Sequence, residues 1–150
     1  IFWIVESLIH MLVMANKTFN DPKYLQIAAN ASNDIWRRGL LTKGIVCVRS
    51  TRMKFVYRYA LIILGYGLCH GAAGNAYCFL RLFQATNDQK HLRRAVHFAK
   101  WCCGGEGAAQ ISFEPDNPAS LFEGTAGTLA FLIDLLLPAK ARFPGLQLQV

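Results

Sequence analysis

Apolar and polar positions recur along this chain with helical rather than strand period, and they mark out a series of helices. Residues 6–18, with Leu8-Ile9-His10-Met11-Leu12-Val13 at their centre, read as a mostly apolar helix, and residues 21–38 as an amphipathic one ended by Gly39. The same pairing returns later. Residues 72–85 are apolar, 88–103 are amphipathic and stopped by Gly104-Gly105, and 125–137 are apolar again and stopped at Pro138. Asn20-Asp21 and Asn87-Asp88 precede the two amphipathic helices in the place of N-caps. The stretch Gly104 to Pro118, rich in Gly, Pro, Asp and Asn, reads as a loop. No strand pattern stands outside residues 45–64, where a short strand or a hydrophobic helix both fit. The expected fold class is all-α, built from a repeated pair of one apolar and one amphipathic helix.

Two glycine turns open the later apolar helices. Gly65-Tyr66-Gly67-Leu68-Cys69-His70-Gly71 leads into the helix from residue 72, and Ser120-Leu121-Phe122-Glu123-Gly124 into the one from residue 125. Both continue as Gly-x-x-Gly, at Gly71 and Gly74 and at Gly124 and Gly127. Cys69 and His70 set a thiol and an imidazole side by side, donors that suit zinc, and a helix N-terminus beside them lowers a thiol pKa and favours anions. Two ligands do not close a zinc site, which takes three or four from the protein. On spacing alone the dipeptide fits a packed cysteine and histidine more readily than a zinc pair. Glu123 stands where Cys69-His70 stand in the other turn, as a carboxylate facing the same cavity or a cap for the helix that follows.

The order of these pieces resembles the C-terminal part of a eukaryotic lanthionine synthetase C-like (LanC-like) protein. The resemblance is carried by Ile35-Trp36, Gly39 to Gly44, Gly65 to Tyr77, Ala99-Lys100-Trp101-Cys102, Pro115-Asp116, Ser120 to Thr128 and Ala139 to Pro144, most of the chain outside residues 45–64. It implies an α/α toroid of inner and outer helices, of which this chain holds only part, and a zinc ion bound by two cysteines and a histidine. It also implies a zinc-activated thiol, glutathione, added to dehydroalanine or dehydrobutyrine in proteins and peptides after phosphate elimination. Cys69 and His70 match two zinc ligands. Lys43 matches a glutathione contact, or is a solvated lysine near a helix end, and Pro115 and Asp116 match the lining of the glutathione site. Phe113 replaces an arginine of the family, and with it a bidentate carboxylate clamp. The family's other cysteine falls at Phe2, inside Ile1-Phe2-Trp3-Ile4-Val5, where neither neighbour is a ligand. His10 is the nearest substitute, with Cys78 next, although His10 reads better as a partly buried histidine.

Composition narrows the roles. The chain has 150 residues, a net charge of +7 and five cysteines. An odd number of cysteines in no regular framework, with no cleavable leader pattern, points to a reducing compartment and hence the cytoplasm. Basic residues are scattered along helices without interleaved aromatics, which argues against nucleic-acid binding. Arg49, Arg52, Lys54 and Arg58 fall within residues 45–64, a segment without an acid that separates Gly44 from the motif resuming at Gly65. It reads as an insertion foreign to the family, too short in its uncharged run to span a bilayer. Cys78, Cys102 and Cys103 read as core, Cys47 belongs to the insertion, and His91 and His97 read as solvated on the outer helix.

Three roles follow: a zinc-dependent glutathione-adding enzyme impaired by one absent ligand, a glutathione-binding adaptor peripheral to the plasma membrane, or an inactive fragment. The toroid also resembles six-hairpin glycosidases, but no carboxylate pair supports sugar chemistry.

Overall fold

The computed structural model describes residues 2–40, 65–69, 71–104 and 116–145, with backbone alone at residues 2–6 and at Arg38. The segment 45–64 lies outside the described residues. The regular elements are helices throughout: α1 (Phe2–Phe19), α2 (Lys23–Arg38), α3 (Ala72–Thr86), α4 (Gln89–Cys102), α5 (Thr125–Leu136) and a 3₁₀ turn, Pro138–Lys140. All five helices lie where the periodicity predicts them. Helix α1 begins four residues earlier than expected, because Phe2 to Val5 hold neither glycine nor proline to interrupt it. Pro138 ends α5 as expected, and it then opens the 3₁₀ turn.

Each Asn-Asp pair divides its work between two helices. Asn20 and Asn87 take φ of 52° and 55°, and their N–H groups donate to Asn16 O and Phe83 O at 2.8 and 2.7 Å, closing α1 and α3 in the left-handed conformation asparagine tolerates. Asp88 caps α4, its carboxylate accepting from the Lys90 N–H at 2.8 Å, and the Asp21 carboxylate, just before Pro22 at the N-cap of α2, accepts from the Lys23 N–H at 2.9 Å. The expectation of an N-cap therefore holds for Asp88, Asp21 bonds into the first turn of α2 from one residue further out, and the asparagines end the helix before.

Helix α1 packs on α2 and α3 on α4, giving two hairpins, while α3 lies between α1 and α5. This is part of an α/α toroid, with α1, α3 and α5 inner and α2 and α4 outer. Ile9, Leu12 and Val13 of α1, Ile35 of α2, Phe98 of α4 and Phe131 of α5 converge on Tyr77, Phe79, Leu80 and Leu82 of α3. The Phe79 and Phe98 rings lie 5.3 Å apart at a tilt.

Arg94 is inserted between the outer helices with only 8% of its surface exposed. Its guanidinium lies 5.2 Å from the Trp36 ring and 5.7 Å from Phe79 and donates to Asn33 Oδ1 at 2.9 Å and Ser32 Oγ at 3.5 Å. Ring faces and amide oxygen thus meet a charge that burial penalises. His91 shares that face of α4 with Arg94, Ala95, Phe98 and Ala99, and is buried rather than solvated. Burial lowers its pKa. The spacing of these residues is that of one helix face; the polarity of histidine and arginine hid it. His97 is exposed as expected. Cys78 is core, whereas Cys103 is exposed as the C-cap of α4 and Cys102 half-buried.

Candidate functional site

Gly71 and Gly124 are the N-caps of α3 and α5, both extended, at φ/ψ of −111°/−176° and −104°/−165°, and neither helix has a side-chain cap. The repeated sequence therefore makes a repeated geometry. The first turn folds back over its own helix: the N–H groups of Ala72, Ala73 and Gly74 donate to the carbonyls of Gly65, Tyr66 and Gly67 at 3.3, 3.2 and 3.3 Å. Those donors are consumed, so the α3 N-terminus offers little of the anion-binding capacity that its position suggests.

The two turns clasp each other. The Cys69 N–H donates to Phe122 O at 2.8 Å, and the Thr128 hydroxyl of α5 donates to Tyr66 O at 3.0 Å. A Cβ on Gly67 would stand 2.6 Å from Glu123 O and 2.7 Å from Phe122 O. On the opposite side, a Cβ on Gly127 would run into Leu121 O and stand 2.7 Å from Leu68 Cγ. Glycine is required at both crossings because backbone meets backbone there. The ring of Tyr66 rests against Trp101 of α4 at 5.2 Å, edge to face. Within the second turn, Pro118 O accepts from the Thr125 N–H at 2.8 Å and the Thr125 hydroxyl at 3.2 Å, and Ser120 Oγ accepts from the Glu123 N–H at 3.2 Å. Glu123 itself is exposed and caps nothing.

The residues expected at the site distribute as follows. Cys69 is buried at 6% exposure on the clasped turn. Asp116 is exposed at the entry to the second turn. His70, Lys43 and Pro115 lie outside the described residues, as does Phe113. Among the described residues no group of three or more His, Cys, Asp or Glu side chains could hold a metal ion. Cys69 and the adjacent His70 fit zinc in donor chemistry, a soft thiolate beside an imidazole, and the buried, tightly bonded turn fits a fixed ligand.

The other candidates do not join them. Cys78 sits six residues beyond Ala72, about 9 Å further along the α3 axis by helical rise. Burial, and then the charge of the neighbouring Arg81, lower the His10 pKa to about 4; Arg81 lies nine residues into α3, about 13 Å from its start. By helical rise Cys78 and Arg81 therefore both lie beyond the first turn of α3, at whose start the Cys69 turn sits. Burial, with Cys103 beside it, pushes the Cys102 thiol up to about 12, which leaves it unreactive. Thr128 is the residue that sequence reasoning passed over. Its place just after Gly127 was visible, but a helical threonine reaching a carbonyl 62 residues away leaves no mark on local pattern.

Among known proteins, the profile of the family described as Lanthionine synthetase C-like protein matches residues 56–148. A zebrafish (Danio rerio) protein named Glutathione S-transferase LANCL1 is 48% identical over 140 residues, covering 92% of this chain and 28% of that protein. The Arabidopsis thaliana protein named LanC-like protein GCL1 is 30% identical over 140 residues, covering 91% of this chain and 27% of its own length. The chain thus spans less than a third of the length of either relative. No helix among the described residues is long and apolar enough to cross a membrane.

Proposed function

Because the chain belongs to the lanthionine synthetase C-like family, we propose that it carries part of a glutathione-handling site and that Cys69 and His70 are its zinc ligands. A relative bearing the name glutathione S-transferase supports glutathione as the small-molecule partner. The observation that carries the proposal is the buried Cys69 turn, clasped by backbone of the second glycine turn through the 2.8 Å bond to Phe122 O. A backbone held this firmly gives a ligating side chain a fixed starting point, as a metal site requires.

Zinc bound there would lower the pKa of a coordinated thiol and so supply a nucleophile at neutral pH. Lys43, Pro115 and Asp116 would line the glutathione, Lys43 as a point charge for a carboxylate. The acceptor would be a dehydroamino acid in a protein or peptide: the sulfur forms a bond to its β-carbon and a proton goes to the α-carbon. The second family cysteine is replaced at Phe2, and a three-ligand site that lacks one thiolate loses orders of magnitude in affinity. The chain on its own is therefore a weak zinc binder and a poor catalyst.

The test is zinc content after dialysis against a mild chelator, followed by mass spectrometry of a dehydroalanine peptide incubated with glutathione. The reading expects less than one equivalent of zinc, a further loss on Cys69→Ala, and no adduct. A full equivalent with turnover would overturn the impairment; zinc uptake indifferent to Cys69→Ala would overturn the site.

A further inference from the structure

The Tyr66 carbonyl accepts two hydrogen bonds from different parts of the chain. One comes from the Ala73 N–H at 3.2 Å, inside the turn's own helix, and the other from the Thr128 hydroxyl at 3.0 Å, across on α5. Thr128 is buried, with 8% of its surface exposed, so its hydroxyl works without competition from bulk water. Three residues on, the Cys69 N–H is held by Phe122 O. Between these two bonds, Gly67 and Gly127 let the two backbones approach more closely than any side chain would allow. The Cys69 turn is therefore fixed at both ends by the second glycine turn and the start of α5.

We propose that Thr128 is a positioning residue for Cys69: its hydroxyl, through Tyr66 O, locks the first glycine turn in the conformation that aims the Cys69 thiol. This rests on the reading of Cys69 as a metal ligand, and it adds that the second glycine turn is a template for the first. Through-bond restraint of this kind is what outer hydrogen bonds do for metal ligands, and its loss commonly costs ten- to a hundredfold in metal affinity. The Tyr66 ring against Trp101 holds the same residue from the side of α4, so that the Thr128 bond acts on a residue already anchored at its other end.

The test replaces Thr128 by Val, which keeps shape and burial and removes the donor, with Thr128→Ser restoring it and Thr128→Ala as the second variant should valine hinder folding. Two readouts are taken on the whole chain: amide hydrogen exchange at Cys69 against that at Phe79 to Leu82, and titration with Co²⁺ followed by its thiolate charge-transfer absorption. Thr128→Val should speed exchange at Cys69 tenfold or more, leave the α3 interior unchanged and weaken Co²⁺ binding about tenfold, with Thr128→Ser returning both. Unchanged exchange at Cys69, equal acceleration along all of α3, or a serine variant as impaired as valine would each overturn the positioning role. A parent chain that takes up no Co²⁺ would instead remove the metal reading, while the exchange data still decide whether Thr128 locks the turn.

Discussion

Helices α3 and α5 enter through the same kind of glycine turn and both read as apolar, yet they end in different surroundings. Every residue of α3 from Ala72 to Leu80 is buried, whereas α5 buries only Gly127, Thr128 and Phe131. Leu129, Ile133 and Leu136 stay 58%, 64% and 79% exposed, although α5 carries a single charge, Asp134, and is the more apolar of the two. The difference lies in the neighbours. Helix α3 is packed by α1, α2, α4, α5 and the 3₁₀ turn, while α5 packs chiefly on α3, α4, that turn and the first glycine turn. Burial is a property of what lies opposite a helix, and apolar sequence sets only the demand for it.

The largest expected effect tests that contrast directly. Phe79→Ala removes a fully buried ring in contact with Phe98 and Trp36 and should destabilise by about 3–5 kcal/mol. Leu129→Ala, on the exposed side of α5, should change stability by no more than about 0.5 kcal/mol. Urea denaturation of the two variants measures both; similar losses would mean that α5 is covered in solution.

The next effect probes the α1 side of α3. His10 packs against Phe143 at 5.7 Å, and its Nε2, like Arg81 Nε, is buried without a partner among the described residues. Burial first, and the Arg81 charge second, lower the His10 pKa from 6.5 to about 4. The unfolded chain takes up this proton first, so stability is fully present above about pH 6.5 and is lost as pH falls towards 4. The loss amounts to up to about 3 kcal/mol. A His10→Leu variant should show a shallower acid limb in thermal melts between pH 6.5 and 4, and an unaltered limb would place the acid sensitivity elsewhere.

The smallest effect concerns the strut that joins the two helices. Asp134 Oδ2 accepts from the Tyr77 hydroxyl at 2.9 Å and from the Arg142 N–H at 2.8 Å, tying α3 to α5 and to the segment after it. Tyr77→Phe keeps the ring against Phe131 and Phe143, at 5.5 and 5.2 Å, and should cost about 1 kcal/mol. Hydrogen exchange in α5 should rise with little change in α3. A uniform rise in both would show that the two helices unfold as one unit.

Local signals carried much of this protein. Helical period, Gly39, Pro138 and the two aspartates placed the elements, since each acts within a turn or two of its own position. The repeated Gly-x-x-Gly told that α3 and α5 begin alike, and the order of motifs told the family. Other features needed the assembled chain. The Asn20 and Asn87 backbones are left-handed because each has one helix to end before the next begins. His91 and Arg94 are buried because their face of α4 meets α3 and α2, where rings and an amide oxygen receive the Arg94 guanidinium. The clasp of the two glycine turns depends on residues some sixty positions apart, and the hydrogen bond from Thr128 to Tyr66 O exists only once α5 lies across α3. Periodicity and capping are written in neighbouring residues and can be read there; which donor meets which carbonyl across two helices is settled by packing, because hydrogen bonds act over about 3 Å and no sequence spacing encodes that distance.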